Sequence, residues 1–169
     1  MKKTVNCQLS IVNCHPGFTL VEIILYMTLV SIFILVLTDI FAAILNVRTE
    51  SEATSSVEQD ARFILARFAY DINRASAIPT PANLGDSNPT LTFTAGSTYT
   101  YAISGIDLQL NGTSLNSSET KVSSLSFKKM GNSGSGNKET ISIQFTLTSK
   151  TQRPSGPQTK TFNTTIGRR

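Results

Sequence analysis

The sequence predicts an α+β protein, in which one long N-terminal α-helix packs on a head made of antiparallel β-sheet. Residues 18–45 contain only two charged side chains, which is typical of a helix that crosses a membrane. No proline or glycine lies between Gly17 and Pro79, so nothing local interrupts a helix in that interval. Residues 80–169 include 30 Ser or Thr in 90 positions and alternate apolar with polar side chains, as half-buried strands do.

Residues 1–17 are predicted to be a leader that is removed from the mature protein. The segment begins with Lys2 and Lys3, ends at Gly17 and has a mostly polar interior. A secretory signal would carry its apolar core before the cleavage site, whereas here the apolar run follows it. We therefore expect the apolar run to stay with the mature protein as an anchor.

Residues 18–46 are predicted to be the transmembrane half of the helix. From Phe18 to Leu37 there are 20 residues with one charge, Glu22, and this length can cross a hydrocarbon core of about 30 Å. The basic residues of the leader place the N-terminal side in the cytoplasm, so we expect a single pass with the head outside. Asp39 allows two interpretations, a charge at the outer interface or a group that pairs across helices in an assembly.

Residues 47–78 are predicted to be the amphipathic half of the helix, which we expect to end near Ser76. Apolar side chains recur there at the helical period and form one face that a globular domain should cover: Val57, Ala61, Ile64, Leu65, Phe68 and Ile72. Two pairs of opposite charges are spaced i,i+4 and are expected on the solvated side: Glu58 with Arg62, and Arg67 with Asp71.

Residues 79–169 are predicted to be the antiparallel β head. The stretch from Pro79 to Pro89 is rich in turn residues and is predicted to be a linker. Beyond it we expect five or six antiparallel strands that pack on the amphipathic half-helix: 91–94, 99–103, 108–110, 122–129, 141–148 and 162–166. Residues 131–137 and 152–158 are expected to be loops.

The composition argues against an enzyme. Both cysteines, Cys7 and Cys14, and the one histidine, His15, lie in the leader, so the predicted mature chain has neither residue type. This excludes disulfides and sites that need a thiol or an imidazole. We therefore predict no catalytic residue, no cofactor, no metal ion and no small-molecule substrate.

Two sets of charged residues in the head are candidate binding sites. Four carboxylates after Pro79 are scattered, without the spacing of a calcium loop, and are interpreted as isolated surface acids: Asp86, Asp107, Glu119 and Glu139. Four basic residues could contact nucleic acid but lack interleaved aromatic side chains, so solvated strand ends are the favoured interpretation: Lys128, Lys129, Arg168 and Arg169.

The residues from Gly17 to Glu22, Gly-Phe-Thr-Leu-Val-Glu, resemble the processing signal of type IV prepilins and type II secretion pseudopilins. The resemblance implies that a prepilin peptidase cuts between Gly17 and Phe18 and methylates the new N-terminus at Phe18. It also assigns Glu22 to assembly, because its carboxylate would pair with the Phe18 ammonium of its own or a neighbouring chain. The alternative for Glu22 is a tolerated charge in an ordinary single-span anchor.

Two further segments resemble J-type minor pseudopilins: the helix from Arg62 to Ala75 and the terminal strand from Phe162 to Arg169. The chain also lacks the cysteines for the C-terminal disulfide loop of many major pilins. The resemblance thus implies a minor pilin or pseudopilin in the inner membrane and then in an extracytoplasmic filament. Its partners would be the peptidase, the membrane and other subunits near the filament tip. The alternatives are a DNA-uptake pilin whose head binds nucleic acid and a simple membrane-anchored binding module.

Overall fold

A computed structural model describes residues 17–131 and 139–168 and confirms the predicted fold class. One helix, α1 (Leu20–Arg74, 55 residues), is followed by two antiparallel sheets. The helix ends two residues before the predicted Ser76, because the backbone N–H of Ser76 already donates to the carbonyl of Thr94 in a strand. The chain divides into two compact units between Ala43 and Ile44.

In the first unit, the described residues are exposed on all sides of the helix, and only Glu22 is half-buried. Three hydroxyl side chains in this apolar segment, Thr28, Ser31 and Thr38, each donate to the backbone carbonyl four residues earlier. These bonds leave no polar hydrogen of the three hydroxyls facing outward. The surface of the segment is therefore hydrocarbon almost throughout, as a lipid-facing helix requires.

The described part of the second unit contains nine strands, whereas five or six were expected. The nine strands form two sheets. The strands are β1 (Ala77–Thr80), β2 (Ser87–Asn88), β3 (Leu91–Ala95), β4 (Ser97–Ser104), β5 (Asp107–Leu110), β6 (Thr113–Ser114), β7 (Thr120–Met130), β8 (Thr140–Ser149) and β9 (Thr159–Gly167). The first sheet has the order β1-β3-β4-β5-β6, and the second has the order β2-β7-β8-β9.

The prediction of a plain linker from Pro79 to Pro89 is wrong, because β1 ends within it at Thr80 and all of β2 lies within it. Proline is tolerated in β1 because this strand is at the edge of the first sheet. β2 has only two residues and pairs with β7 in the second sheet. In chain order, one short strand of the second sheet therefore lies between the first strand of the first sheet and the remaining strands of that sheet.

The predicted apolar face of α1 lies at the centre of the core. Five of its six members are buried and Leu65 is partly buried. The ring of Phe68 is fully buried, and its centroid lies 4.7 Å from that of Tyr101, 5.5 Å from Phe127 and 6.1 Å from Phe145. Tyr101 belongs to the first sheet and the two phenylalanines to the second, so one helical side chain joins both sheets to the helix.

The expectation that the Arg67–Asp71 pair lies on the solvated side is wrong. Asp71 is fully buried, and its Oδ2 accepts hydrogen bonds from Arg67 Nε at 2.9 Å and from the Tyr101 hydroxyl at 2.6 Å. The predicted partner of Glu58 also differs, because its carboxylate pairs with Lys160 on β9 instead of Arg62. Strands supply partners that helical spacing alone does not show.

The interpretation of Lys129 as a solvated strand end is also wrong. This side chain is only 6% exposed. Its ammonium lies 2.7 Å from Oε1 of Glu139 and donates to the carbonyls of Ile78 at 3.1 Å and Ala82 at 3.3 Å. Lys129 therefore fastens the segment around β1 to the start of β8.

Candidate functional site at the start of the helix

The predicted processing signal, Gly17 to Glu22, lies where α1 begins. Gly17 to Thr19 are not helical, and Thr19 is the N-cap, with its Oγ1 accepting the backbone N–H of Glu22 at 3.3 Å. The carbonyl of Thr19 accepts the backbone N–H of Ile23 at 3.2 Å. Thr19 and Glu22 thus have the Thr-x-x-Glu spacing of a capping box. This capping role of Thr19 was not predicted, although the spacing of Thr19 and Glu22 indicates it.

Glu22 lies in the first turn of the helix, where a negative charge is favoured by the helix dipole. Phe18 lies immediately before the cap, and its ring is 72% exposed. The Phe18 ring makes an edge-to-face contact with Tyr26, with the two centroids 6.5 Å apart. Glu22 and Phe18, the predicted new N-terminus, therefore lie on either side of the capping residue Thr19.

The backbone at Gly17 is open. Among the described residues, no atom outside its chain neighbours lies within 4 Å of the point where a Cβ would stand. Because glycine has no side chain, another protein can approach the Gly17–Phe18 peptide bond closely.

The apolar surface continues along the helix from this site. The most apolar 18-residue window of α1 has a mean hydropathy of 2.7, and none of that window is buried. By length and composition, α1 is the one helix of the described chain that could cross a membrane. The structure thus supports one part of the predicted single-pass anchor, a helix that is long and apolar enough to cross a membrane.

In the head, buried polar groups form tight clusters. Besides its bonds to Arg67 and Tyr101, Asp71 has its Oδ1 3.0 Å from Nη2 of Arg74. Burial and the hydrogen bond to Asp71 raise the pKa of the Tyr101 hydroxyl well above its usual range. Partial burial lowers the pKa of Arg67, but the Asp71 carboxylate outweighs this and raises it overall. This cluster holds the helix to the first sheet.

A second cluster surrounds Asp60. Its Oδ2 accepts a hydrogen bond from the hydroxyl of Thr120 at 2.5 Å. The same oxygen accepts two hydrogen bonds from Ser117, one from the backbone N–H at 2.9 Å and one from the hydroxyl at 2.8 Å. Ser117 lies in the turn that leads into β7, and Thr120 is the first residue of that strand. Asp60 therefore fixes the helix to the second sheet and leaves Oδ2 fully occupied by structural bonds.

The four scattered acids are not brought together. Asp86 accepts from Asn83, Asp107 from Asn116, Glu119 from Ser118, and Glu139 pairs with Lys129. Within residues 17–131 and 139–168, no three His, Cys, Asp or Glu side chains gather in a way that could hold a metal ion.

The four basic residues that are candidates for binding nucleic acid have different surroundings. Lys128 is exposed, Lys129 is buried, and the Arg168 guanidinium donates to the carbonyl of Ser76. Arg169 lies outside the described residues, as do Cys7, Cys14 and His15 of the leader. The predicted processing residues Gly17, Phe18 and Glu22 lie within six consecutive residues at the start of α1.

Comparison of the chain with protein-family models, with characterised proteins and with solved structures gives no match.

Proposed function

We propose that this protein is a minor pilin or pseudopilin, a structural subunit of a type IV pilus or of a type II secretion-like filament. It would be inserted in the inner membrane through the apolar half of α1 and processed between Gly17 and Phe18. The mature subunit would then enter an extracytoplasmic filament near its tip. The proposal includes no catalytic activity and no small-molecule substrate.

The observation that carries the proposal is the changing surface of one helix. From Leu20 to Leu45 the apolar side chains of α1 are exposed on every side, whereas from Ala53 to Ile72 one face is buried in the head. An apolar surface of that extent requires lipid or similar helices around it. A subunit that moves from a membrane into a helical bundle would use both environments in turn.

The processing signal supports the same function. Cleavage after Gly17 would leave an ammonium at Phe18, four residues before Glu22 and close to the capped end of the helix. A carboxylate in an apolar helix costs about 2.5–3.5 kcal/mol on insertion scales, so it is usually retained for a partner. The Phe18 ammonium of the same or a neighbouring subunit is the partner we propose.

The intact mass of the protein tests this proposal. We expect the protein from its own cells to have the mass of residues 18–169 plus one methyl group. Cells without the prepilin peptidase should yield a chain that still carries the leader. The matched control is a Gly17→Leu variant in cells that have the peptidase, because a bulky side chain at the cut should block processing.

A leader that remains in both cell types would overturn the proposal. The chain would then be a membrane-anchored binding module, with its function in the head alone. Correct processing together with salt-sensitive DNA binding by the head would instead favour the DNA-uptake pilin.

A further inference from the structure

The two sheets expose very different edges. Three of the four edge strands are poor templates for pairing: β2 and β6 have two residues each, and β1 has four residues with Pro79 and a register irregularity. β9, the fourth, has nine residues in an unbroken register with β8 and contains no proline. Proteins usually shorten, bend or charge an exposed edge because it invites another strand. Within residues 17–131 and 139–168, the edge at β9 shows none of these protections apart from one lysine.

The register shows which backbone groups of β9 are free. The bonds from Ser149 N to Gln158 O and from Arg168 N to Glu139 O extend the β8–β9 ladder at its two ends. Hydrogen-bonded pairs alternate with non-bonded pairs along an antiparallel ladder, so the even-numbered residues of β9 bond to β8. The N–H and C=O groups of the odd-numbered residues point away from the sheet: Thr159, Thr161, Asn163, Thr165 and Gly167. In the described chain, no backbone group of these five residues has another partner.

The side chains at this edge define the kind of strand that would fit. On the outer face, a hydrogen-bonded row of hydroxyls runs from Ser124 through Thr146 to Thr161, with both oxygen–oxygen distances 2.9 Å, and stops at the edge. On the other face, Phe162 and Ile166 are half-buried. A strand that alternates hydroxyl and apolar side chains would continue both rows.

Charge adds a further restriction. Lys160 is the one charged residue of β9, and its ammonium already pairs with Glu58 of α1. The edge therefore offers an incoming strand no unpaired charge of its own. An uncharged strand fits it better than an acidic or a basic one.

We propose that β9 is a docking edge that accepts an extended, uncharged strand from a different protein, with hydroxyl and apolar side chains in alternation. The backbone groups of the odd-numbered residues would supply the affinity, and the two side-chain rows the selectivity.

A second copy of the chain does not suit this edge, a step that rests on the membrane anchoring proposed above. Antiparallel pairing of β9 with β9 of another copy would need a two-fold axis perpendicular to the sheet. That axis would reverse the direction of the helix that packs on the sheet. Two copies whose packed helix segments run in the same direction from one membrane could not pair in this way.

Amide hydrogen exchange on the full chain in detergent micelles tests the proposal. The probe is a synthetic peptide, matched to β9 in length, that alternates Thr and Val between terminal lysines. We expect it to slow exchange at Thr161, Asn163 and Thr165 by roughly tenfold or more. Exchange at Thr164, whose N–H already bonds to β8, should stay unchanged. The same peptide with a central proline is the control and should have no effect.

Two variants separate backbone pairing from side-chain recognition. Asn163→Pro removes an outward N–H without removing a bond to β8, and should weaken peptide binding by roughly tenfold or more. Asn163→Ala keeps that N–H and should bind within about twofold of the original chain. If thermal unfolding shows that Asn163→Pro disturbs the head, Thr165→Pro makes the same change at the next outward position.

Three outcomes would overturn the proposal. They are no slowing at the outward amides, equal weakening by the proline and alanine variants, and slowing that follows protein concentration without peptide, which would identify a second copy as the occupant. None of these results depends on leader processing, so they are separate from the outcome of the mass measurement.

Discussion

At the scale of single residues, Asp71 is a buried acid whose carboxylate several donors of the head share. Its carboxylate is fully buried and is shared by the guanidinium groups of Arg67 and Arg74 and the hydroxyl of Tyr101. The Arg74 guanidinium also lies 4.9 Å from the ring centroid of Tyr70 and 5.3 Å from that of Tyr99. Loss of the carboxylate would therefore leave several ordered donors without their acceptor.

The Asp71→Asn variant should lower the free energy of unfolding by about 2 kcal/mol. Breaking a buried charge pair leaves the remaining charged groups buried without a partner. Urea unfolding of the full chain in micelles, followed by circular dichroism, measures this change. Glu58→Gln is the matched control, since it makes the same acid-to-amide change at an ion pair on the surface, and it should leave unfolding nearly unchanged. Equal effects of the two variants would contradict the structural role of Asp71.

The raised pKa of Tyr101 predicts a loss of stability in alkali. Burial, and then the hydrogen bond to Asp71, keep this hydroxyl protonated in the folded chain. In the unfolded chain a tyrosine loses its proton near pH 10. The contribution of Tyr101 is therefore complete below about pH 10 and decreases as the pH rises further.

Thermal unfolding between neutral pH and about pH 11 checks this prediction. The midpoint should fall more steeply above about pH 10 in the original chain than in Tyr101→Phe, which cannot ionise there. Parallel curves for the two proteins would show that Tyr101 makes no such contribution.

At the scale of secondary-structure elements, α1 holds the two sheets together through Phe68. Phe68→Ala should lower the free energy of unfolding by about 3–5 kcal/mol, because both sheets lose contacts to the same ring. Phe63→Ala, on the same helix but at a ring that is 54% exposed, is the control and should have a small effect. Urea unfolding distinguishes them, and similar losses would mean that Phe68 is not the central contact.

The sequence was sufficient for the elements with strong local patterns. The apolar face of α1 and the alternation along β8 depend on neighbouring residues, and both were predicted correctly. Strands of two residues, such as β2 and β6, are too short to show a period, so the division into two sheets was missed.

The buried charges were missed for a related reason. The partner of Asp71 on β4, Tyr101, is 30 residues away in the chain. Helical spacing shows only that Arg67 and Asp71 can meet, and this is equally true of a surface pair. The capping role of Thr19, in contrast, could have been predicted, because the spacing of Thr19 and Glu22 is itself the signal.

At the scale of the whole molecule, the proposed topology places the head outside the cytoplasm. The processed chain would contain no cysteine, so Ser97→Cys would provide a single thiol at an exposed position of β4. We expect a membrane-impermeant maleimide to label this variant in cells whose inner membrane is intact. The processed chain without the substitution should stay unlabelled.

The leader supplies an internal control for topology. In cells without the prepilin peptidase, Cys7 and Cys14 would remain on the cytoplasmic side and should react only after lysis. Labelling of Ser97→Cys only after lysis would reverse the proposed orientation.

The contacts of α1 with the end of the chain have a consequence for the order of folding. Glu58 pairs with Lys160 across 102 residues, and Glu50 pairs with Arg153 across 103. A chain that leaves the ribosome from its N-terminus makes the helix first and the strands that cover it last. Contacts between such distant residues slow folding, because a large loop must close before any of them forms. The segment of α1 around Glu50 and Glu58 can therefore form these two ion pairs only after the residues up to Lys160 have been synthesised.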